Sequence, residues 1–280
     1  MTTPKVNTIK RGDSRFYVEP ETGVKAPGVT SVLGMLPKPF LQRWAAKMVA
    51  EEVVADLGTA VNLTIRNPQA AIDHLKNAPY RNTRDAADIG TAAHDLFERL
   101  AKGEILGRVS PTLEPFVRHF SEFLETVQPE YHFMEETVWS DSRGPELAYA
   151  GSFDAFATIN GERIWIDNKT TRSGIHEEVG LQLAAYRFAD HIVRADGSRV
   201  PMPKADGGAV VHVRPEGWKL VPVKADEESF ETFLLLRKIF NWERDGKSGV
   251  IGRTLAEGPP DAEPGGPKRR TPRARAAVAA

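Results

Sequence analysis

The feature that most constrains this chain is the dipeptide Asn160-Gly161, set between two runs with strand alternation, GSFDAFATI before it and ERIWIDNKT after it. Asn-Gly between alternating apolar residues is the strongest short-range hairpin signal, because a type I′ turn needs φ > 0 at both central positions. A two-residue turn flanked by Ile159 and Glu162 leaves one register. It puts Phe156 opposite Trp165, a favourable aromatic pair, and Asp154 opposite Asp167. Phe153, Ala155, Ala157 and Ile159 then share the other face with Ile164 and Ile166 as a buried apolar layer. A β-bulge beside the acids would shift the pairing by one.

Facing Cβ atoms in an antiparallel pair lie roughly 4.5 to 5.5 Å apart, where like charges repel. Stability does not select that arrangement. Two carboxylates so placed suit one hard divalent cation of the Mg²⁺ or Mn²⁺ kind. Lys169, two residues past Asp167, projects from the same face, so the unit is an acid, a facing acid and a lysine.

Bulk properties narrow the chemistry further. The 280 residues, 41% hydrophobic, suffice for one large domain or two small ones. With no cysteine, disulfides, thiolate zinc sites and cysteine-held iron–sulfur clusters are excluded, leaving carboxylate, carbonyl or imidazole for any metal. No apolar run approaches the ~20 residues of a membrane span. The start MTTPKVNTIKRGDSR lacks the apolar core of a signal peptide, so a cytoplasmic site and no membrane partner are expected. A net charge of −1 gives no global basic footprint, so any DNA contact is local. The seven histidines form no H-E-x-x-H zinc pattern.

Periodicity then places the elements. Residues 1 to 28 carry turn formers, and Val29 to Leu36 is a short apolar segment. A helix is expected over 40–56, with Leu41, Trp44, Ala45, Met48 and Val49 on one side, and another opens at Asn67-Pro68. A stronger one spans 84–102 through Ala86, Ile89, Ala93, Leu96, Phe97 and Leu100, with His94 at the edge of the stripe. Ser110-Pro111 starts a further helix, ended by Pro129, and Tyr131 to Trp139 alternates like a strand. After the hairpin come a helix over 175–193 carrying Gln182 and Tyr186, a strand pair over 208–214 and 218–223, and a last helix capped by Asp226. The order indicates an α/β fold with a mixed central β-sheet flanked by helices.

An acid opening one strand, D-x-K on the next, a following helix with Q-x-x-x-Y and a preceding helix with histidine together resemble the RecB-like branch of the PD-(D/E)XK nucleases. More narrowly, the chain is similar to CRISPR-associated-type exonucleases and their phage-encoded relatives. The carrying positions are His94 in GTAAHDLFERL, Asp154 in GSFDAF, Asp167 and Lys169 in IDNKT, and Gln182 and Tyr186 in QLAAY; the amino-terminal PGVTSVLGMLPKPFLQRWAAK is also similar to phage members, without an assigned role. D-x-K alone is weak, since Asp245-Gly246-Lys247 repeats it in a glycine turn; the conjunction in family order carries the resemblance.

The resemblance implies a restriction-endonuclease-like core over 84–245, with an N-terminal helical segment over 1–83 packed on it; the glycine, proline, alanine and arginine that dominate 246–280 indicate a disordered tail. It implies a Mg²⁺- or Mn²⁺-dependent deoxyribonuclease acting on DNA ends. Asp154, Asp167, the carbonyl of Asn168 and the imidazole of His94 would be metal ligands, Lys169 would face the reacting phosphate, and Gln182 and Tyr186 would position the strand or the lysine. Arg172 and Arg187 are candidates for phosphate contacts and Glu136 a weaker metal candidate. Basic residues of the tail, Lys268, Arg269, Arg270, Arg273 and Arg275, are weak phosphate contacts at most, a solvated tail being preferred. The absence of cysteine departs from cluster-bearing members and removes any iron–sulfur role. A phage recombination or replication role, with a protein partner in it, follows from resemblance only. The alternatives are a structure-specific endonuclease and a non-catalytic DNA-binding adaptor.

Overall fold

The computed structural model describes residues 4–256 and 258, apart from the side chains of Asn82, Asp85 and Ala86. The basic tail residues and the Ala86 side chain therefore lie outside the described residues. The chain opens with β1 (Thr8–Arg11), β2 (Ser14–Val18) and β3 (Lys25–Pro27), a small antiparallel sheet. Helices α1 (Val29–Leu33), α2 (Phe40–Ala55), α3 (Leu57–Arg66), α4 (Pro68–Lys76), α5 (Ala78–Ala101) and α6 (Glu114–Val127) follow. Then come β4 (Glu130–Met134), β5 (Thr137–Ser140), β6 (Tyr149–Ser152), β7 (Ala155–Ile159), β8 (Glu162–Lys169) and α7 (Glu178–Arg187). The described part closes with β9 (His191–Val193), β10 (Arg199–Pro201), β11 (Gly207–Arg214), β12 (Gly217–Val223), α8 (Glu227–Asn241) and a π-turn at Trp242–Gly246. Among the described residues no helix is long and apolar enough to cross a membrane.

The fold is α/β. Its central sheet has the order β12-β11-β8-β7-β4 and is mixed: β8 and β11 run parallel, and the other pairs are antiparallel. A parallel pair needs a crossover, and the segment carrying α7 supplies it. One face of this sheet buries Ala155, Ala157, Ile164, Ile166 and Val211 against Phe97 of α5 and Phe116, Phe120 and Phe123 of α6. The other buries Phe156, Trp165 and Val210 against Leu183 and Ala184 of α7 and Phe230 and Phe233 of α8. A second sheet, β10-β9-β5-β6, lies beside it.

The hairpin closes with the expected register. Asn160 and Gly161 have φ of 50° and 86°, and the pairs run from Ile159–Glu162 through Phe156–Trp165 to Ala155–Ile166. The strand pair over 208–223 and the cap of α8, where Asp226 accepts from the Ser229 N–H at 3.0 Å, also form as expected. So does the start of α4, where the Asn67 side chain accepts from the Ala70 N–H ahead of Pro68.

Two strands that look continuous in the sequence are each divided between sheets. GSFDAFATI breaks into β6 and β7 at Phe153 and Asp154, and Tyr131–Trp139 breaks into β4 and β5 at Glu135 and Glu136. The two switch sheets together: the Phe153 N–H donates to the Glu136 carbonyl and the Glu135 N–H to the Asp154 carbonyl, with Glu135 at φ 55°. Corners of this kind are built from bends and bulges, here with a register shift between Tyr131 and Phe133. The break sends Phe153 to the α7 side, against Trp165, rather than into the layer expected for it.

Other boundaries also move. The helix expected over 175–193 is only α7; His191–Val193 instead pairs with β5 and β10, so Ile192 is buried as a strand residue. The segment over 1–28 holds three strands, and α3 follows a capped Asp56 that accepts from the Thr59 N–H at 2.9 Å. Helix α5 begins at Ala78, running through the expected boundary at 83/84, and α6 begins at Glu114 with Pro115 in its first turn. On α2 the stripe is partly right: Trp44, Ala45, Met48 and Val49 are half-buried, whereas Leu41 is exposed.

Gly151 marks a close approach between layers. A Cβ there would stand 2.8 Å from the Tyr186 ring and 2.9 Å from a Val29 methyl. Gly151→Ala is expected to cost about 1–3 kcal/mol through overpacking, read as a lowered urea midpoint with an unchanged slope. An unaltered midpoint would mean that α1 and α7 yield without cost.

Candidate active site

The β7–β8 ladder ends at Ala155–Ile166, one residue short of the acids. Asp154 replaces the next backbone acceptor with its side chain, its Oδ2 accepting from the Asn168 N–H at 2.6 Å. Asp167, 3% exposed, sits on the central strand β8 beside Val210 of β11. The Lys169 Nζ lies 2.6 Å from Asp167 Oδ2, from the same face as the sequence alternation requires. Helix α5 brings His94 over this pair, its Nδ1 3.6 Å from Asp154 Oδ2 and without a hydrogen bond.

Helix α7 completes the arrangement from the other side. Gln182 Nε2 donates to Asp167 Oδ1 at 2.9 Å and to the Tyr186 hydroxyl at 3.1 Å, and that hydroxyl donates to the Ser152 carbonyl at 2.9 Å. The direction is forced, since a carboxylate only accepts and the tyrosine proton is committed to Ser152. The Tyr17 hydroxyl of β2 accepts from the Ser152 N–H at 3.0 Å and donates to Ser152 Oγ at 3.2 Å. One chain of bonds thus links the N-terminal sheet to the carboxylate. These groups line a cleft of about 360 Å³, in which Arg15, Tyr17, Thr30, Gly90 and Ser152 join the residues picked out by sequence.

Burial governs the charges. It raises the Asp154 and Asp167 carboxyls above their usual range; Lys169 opposes this at both, and the Asp154 charge adds to it at Asp167. Burial alone would lower the Lys169 ammonium, but Asp167 and Asp154 outweigh it and hold the group above its ordinary value. Burial pushes the His94 imidazole down to about 4. At the floor of the cleft the two carboxyls share one ammonium, with a neutral imidazole above them; the guanidinium of Arg15 stands on the wall. Among the described residues no three His, Asp or Glu side chains form a cage for a metal ion. Two carboxylates with one imidazole nitrogen left unbonded nonetheless suit a hard cation that keeps much of its water and is completed by substrate phosphate, as Mg²⁺ commonly is.

Of the residues expected at the site, His94, Asp154, Asp167, Asn168, Lys169, Gln182 and Tyr186 converge on this cleft. Others do not. Glu136 turns to Lys5 at 3.9 Å, and Arg187 donates to the Ala225 and Ala205 carbonyls at 3.0 and 2.8 Å, so it is committed to joining α7 to its neighbours. Arg172 is exposed and does not line the cleft. Tyr17 and Arg15 had no motif to mark them, Thr30 lies in PGVTSVLGMLPKPFLQRWAAK, a stretch similar to phage relatives but without an assigned role, and Ser152 gave only the weak signal of a polar residue two positions before an acid.

No protein-family model matches the chain, and no curated protein matches it. A solved structure described as SSO0001 is similar over 74% of this chain and 88% of its own, at 16% identity and a TM-score of 0.33.

His94 ties the site to acid stability. Below pH 6.5 the unfolded chain protonates this imidazole while the folded chain keeps it neutral to about pH 4, so its contribution is complete above 6.5 and is lost as the pH falls toward 4. The raised carboxylates act with the opposite sign, because the folded state takes up their protons first. His94→Gln is expected to remove an acid-side loss on the order of 3 kcal/mol, seen in EDTA as a flatter or reversed pH profile of unfolding free energy. A mutant profile that still falls like the wild type would reject a neutral, buried imidazole.

Proposed function

We propose that this chain is a metal-dependent DNA exonuclease that hydrolyses phosphodiester bonds of linear DNA. The observation that carries the reading is the convergence of Asp154, Asp167 and Lys169 in one cleft, with Gln182 bonded to Asp167. The resemblance of these same positions to the RecB-like PD-(D/E)XK nucleases supports it, and supports exonuclease action and a phage recombination, repair or replication setting by analogy. All the acids and the lysine are present, which disfavours the adaptor alternative.

Asp154 and Asp167 would hold Mg²⁺ or Mn²⁺, with the Asn168 carbonyl and the His94 imidazole as neighbours. Such a cation supplies a water of lowered pKa and positive charge against the scissile phosphate. His94 suits a ligand role, since burial keeps its imidazole neutral. Lys169 is held protonated by the two carboxylates, which favours a role in offsetting charge on the phosphate over one as a proton acceptor. Gln182 orients Asp167 and is itself steadied by Tyr186, so that the buried carboxylate keeps its aim.

The test is digestion of end-labelled linear DNA, single- and double-stranded, beside covalently closed circles, with Mg²⁺, Mn²⁺ or EDTA. Metal-dependent loss of the linear forms alone is expected. Asp154→Ala, Asp167→Ala and Lys169→Ala should abolish it, while Gln182→Ala should slow it about 10- to 100-fold. Equal rates for wild type and Asp167→Ala would sink the assignment. Cleavage of closed circles would make the chain an endonuclease, and DNA binding with neither cleavage nor Mn²⁺ binding by calorimetry would make it an adaptor.

A further inference from the structure

Strand β2 presents Arg15 and Tyr17 from one face, two residues apart, and both line the cleft. Tyr17 is engaged at Ser152. Arg15 is not: among the described residues its guanidinium has neither a carboxylate partner nor a hydrogen bond. Its backbone, by contrast, is fastened on both sides. The Arg15 N–H donates to Ser31 Oγ at 2.9 Å, and its carbonyl accepts from the Gly28 N–H at 2.9 Å. A fixed base with an uncommitted, always-charged head is prepared for a ligand from outside the chain.

The surroundings specify that ligand's charge. The wall built by β2 and α1 contributes Arg15, Tyr17, Val29 and Thr30 to the cleft and no acid. Asp154 and Asp167 are already met by the Asn168 amide, Lys169 and Gln182. On the nuclease reading, the anion brought into this cleft is a nucleic-acid strand, whose reacting phosphate lies at the acids and Lys169. Arg15 stands on a separate element and so takes a different phosphate. We propose that Arg15, helped by the Thr30 hydroxyl on the same wall of the cleft, grips an internal phosphodiester of the substrate strand next to the one cleaved, and so sets the strand's path across β8. The planar guanidinium fork matches two phosphate oxygens, which a lysine would hold only as a point charge.

The inference rests on the proposed activity, and the experiment separates the two. A labelled single-stranded oligonucleotide is titrated with protein in EDTA, where cleavage is off, over a range of KCl, and binding is followed by anisotropy. Arg15→Gln is expected to weaken binding about tenfold and to make the slope of log K against log salt shallower by about 0.7, one phosphate contact on a single strand. Arg15→Lys should keep most of the slope, Thr30→Val should weaken binding about two- to threefold, and Arg194→Gln, an equal loss of charge on an exposed turn outside the cleft, should change nothing. If Arg15→Gln does not fold, Thr30→Val and Arg15→Lys carry the comparison. Wild-type affinity and slope in Arg15→Gln, or a loss seen only with a terminal phosphate, would overturn the Arg15 contact; if the wild type still digests DNA through Asp167, the nuclease reading stands. A wild type that neither binds nor cleaves DNA removes both.

Discussion

The bond from the Asn168 amide to the Asp154 carboxylate, 2.6 Å long, is the contact on which the rest of the cleft depends. It exists because β7 stops at Ala155, where the chain turns out of the central sheet toward β6. Had the strand continued, the amide would have met a backbone carbonyl, and the Asp154 side chain would have been one more residue on a pleated surface. The break instead leaves an unfilled acceptor position that a carboxylate fills. The accompanying switch of β4 to β5 stabilises the corner, since Glu135 and Glu136 supply the backbone partners that Phe153 and Asp154 lose.

Around that corner the molecule buries charge that it only partly neutralises. Two carboxylates share one lysine, and burial raises both of their pKa values while it holds the histidine above them neutral. Ionised groups out of water are costly unless paired and hydrogen-bonded. The aromatic and aliphatic layers on both faces of the sheet, Phe97, Phe120 and Phe123 on one side and Trp165, Phe230 and Phe233 on the other, offset that cost. Two carboxyls raised by burial and sharing one lysine suit a site that works by attracting a cation.

The N-terminal sheet is tied into the same cluster. Tyr17 reaches Ser152, Ser152 reaches Tyr186, and Tyr186 reaches Asp167 through Gln182. Strand β2 therefore bears on the aim of a carboxylate that lies 150 positions further along the chain. The close fit of Val29 and Tyr186 around Gly151 keeps α1 and α7 at the distance this relay needs.

What the sequence by itself determined is local. Asn160-Gly161 sets the turn, the turn sets the register, and the register brings the end of β7 to Asp167 and Lys169, because the period of two leaves no latitude over so short a span. The stripes of α5 and α6 and the Asp226 cap are legible for the same reason: each depends on residues within a turn or two of one another. Tertiary structure decided what needs distant partners. Only pairing with Thr137–Trp139 turns His191–Val193 from a helical pattern into a strand, and only the shared corner divides GSFDAFATI and moves Phe153 to the opposite core. The part of the site supplied by Tyr17, Arg15 and Thr30 belongs to this second kind. Their places are set by β2 and α1 packing on β6, contacts between residues more than a hundred positions apart, and no short-range pattern encodes those.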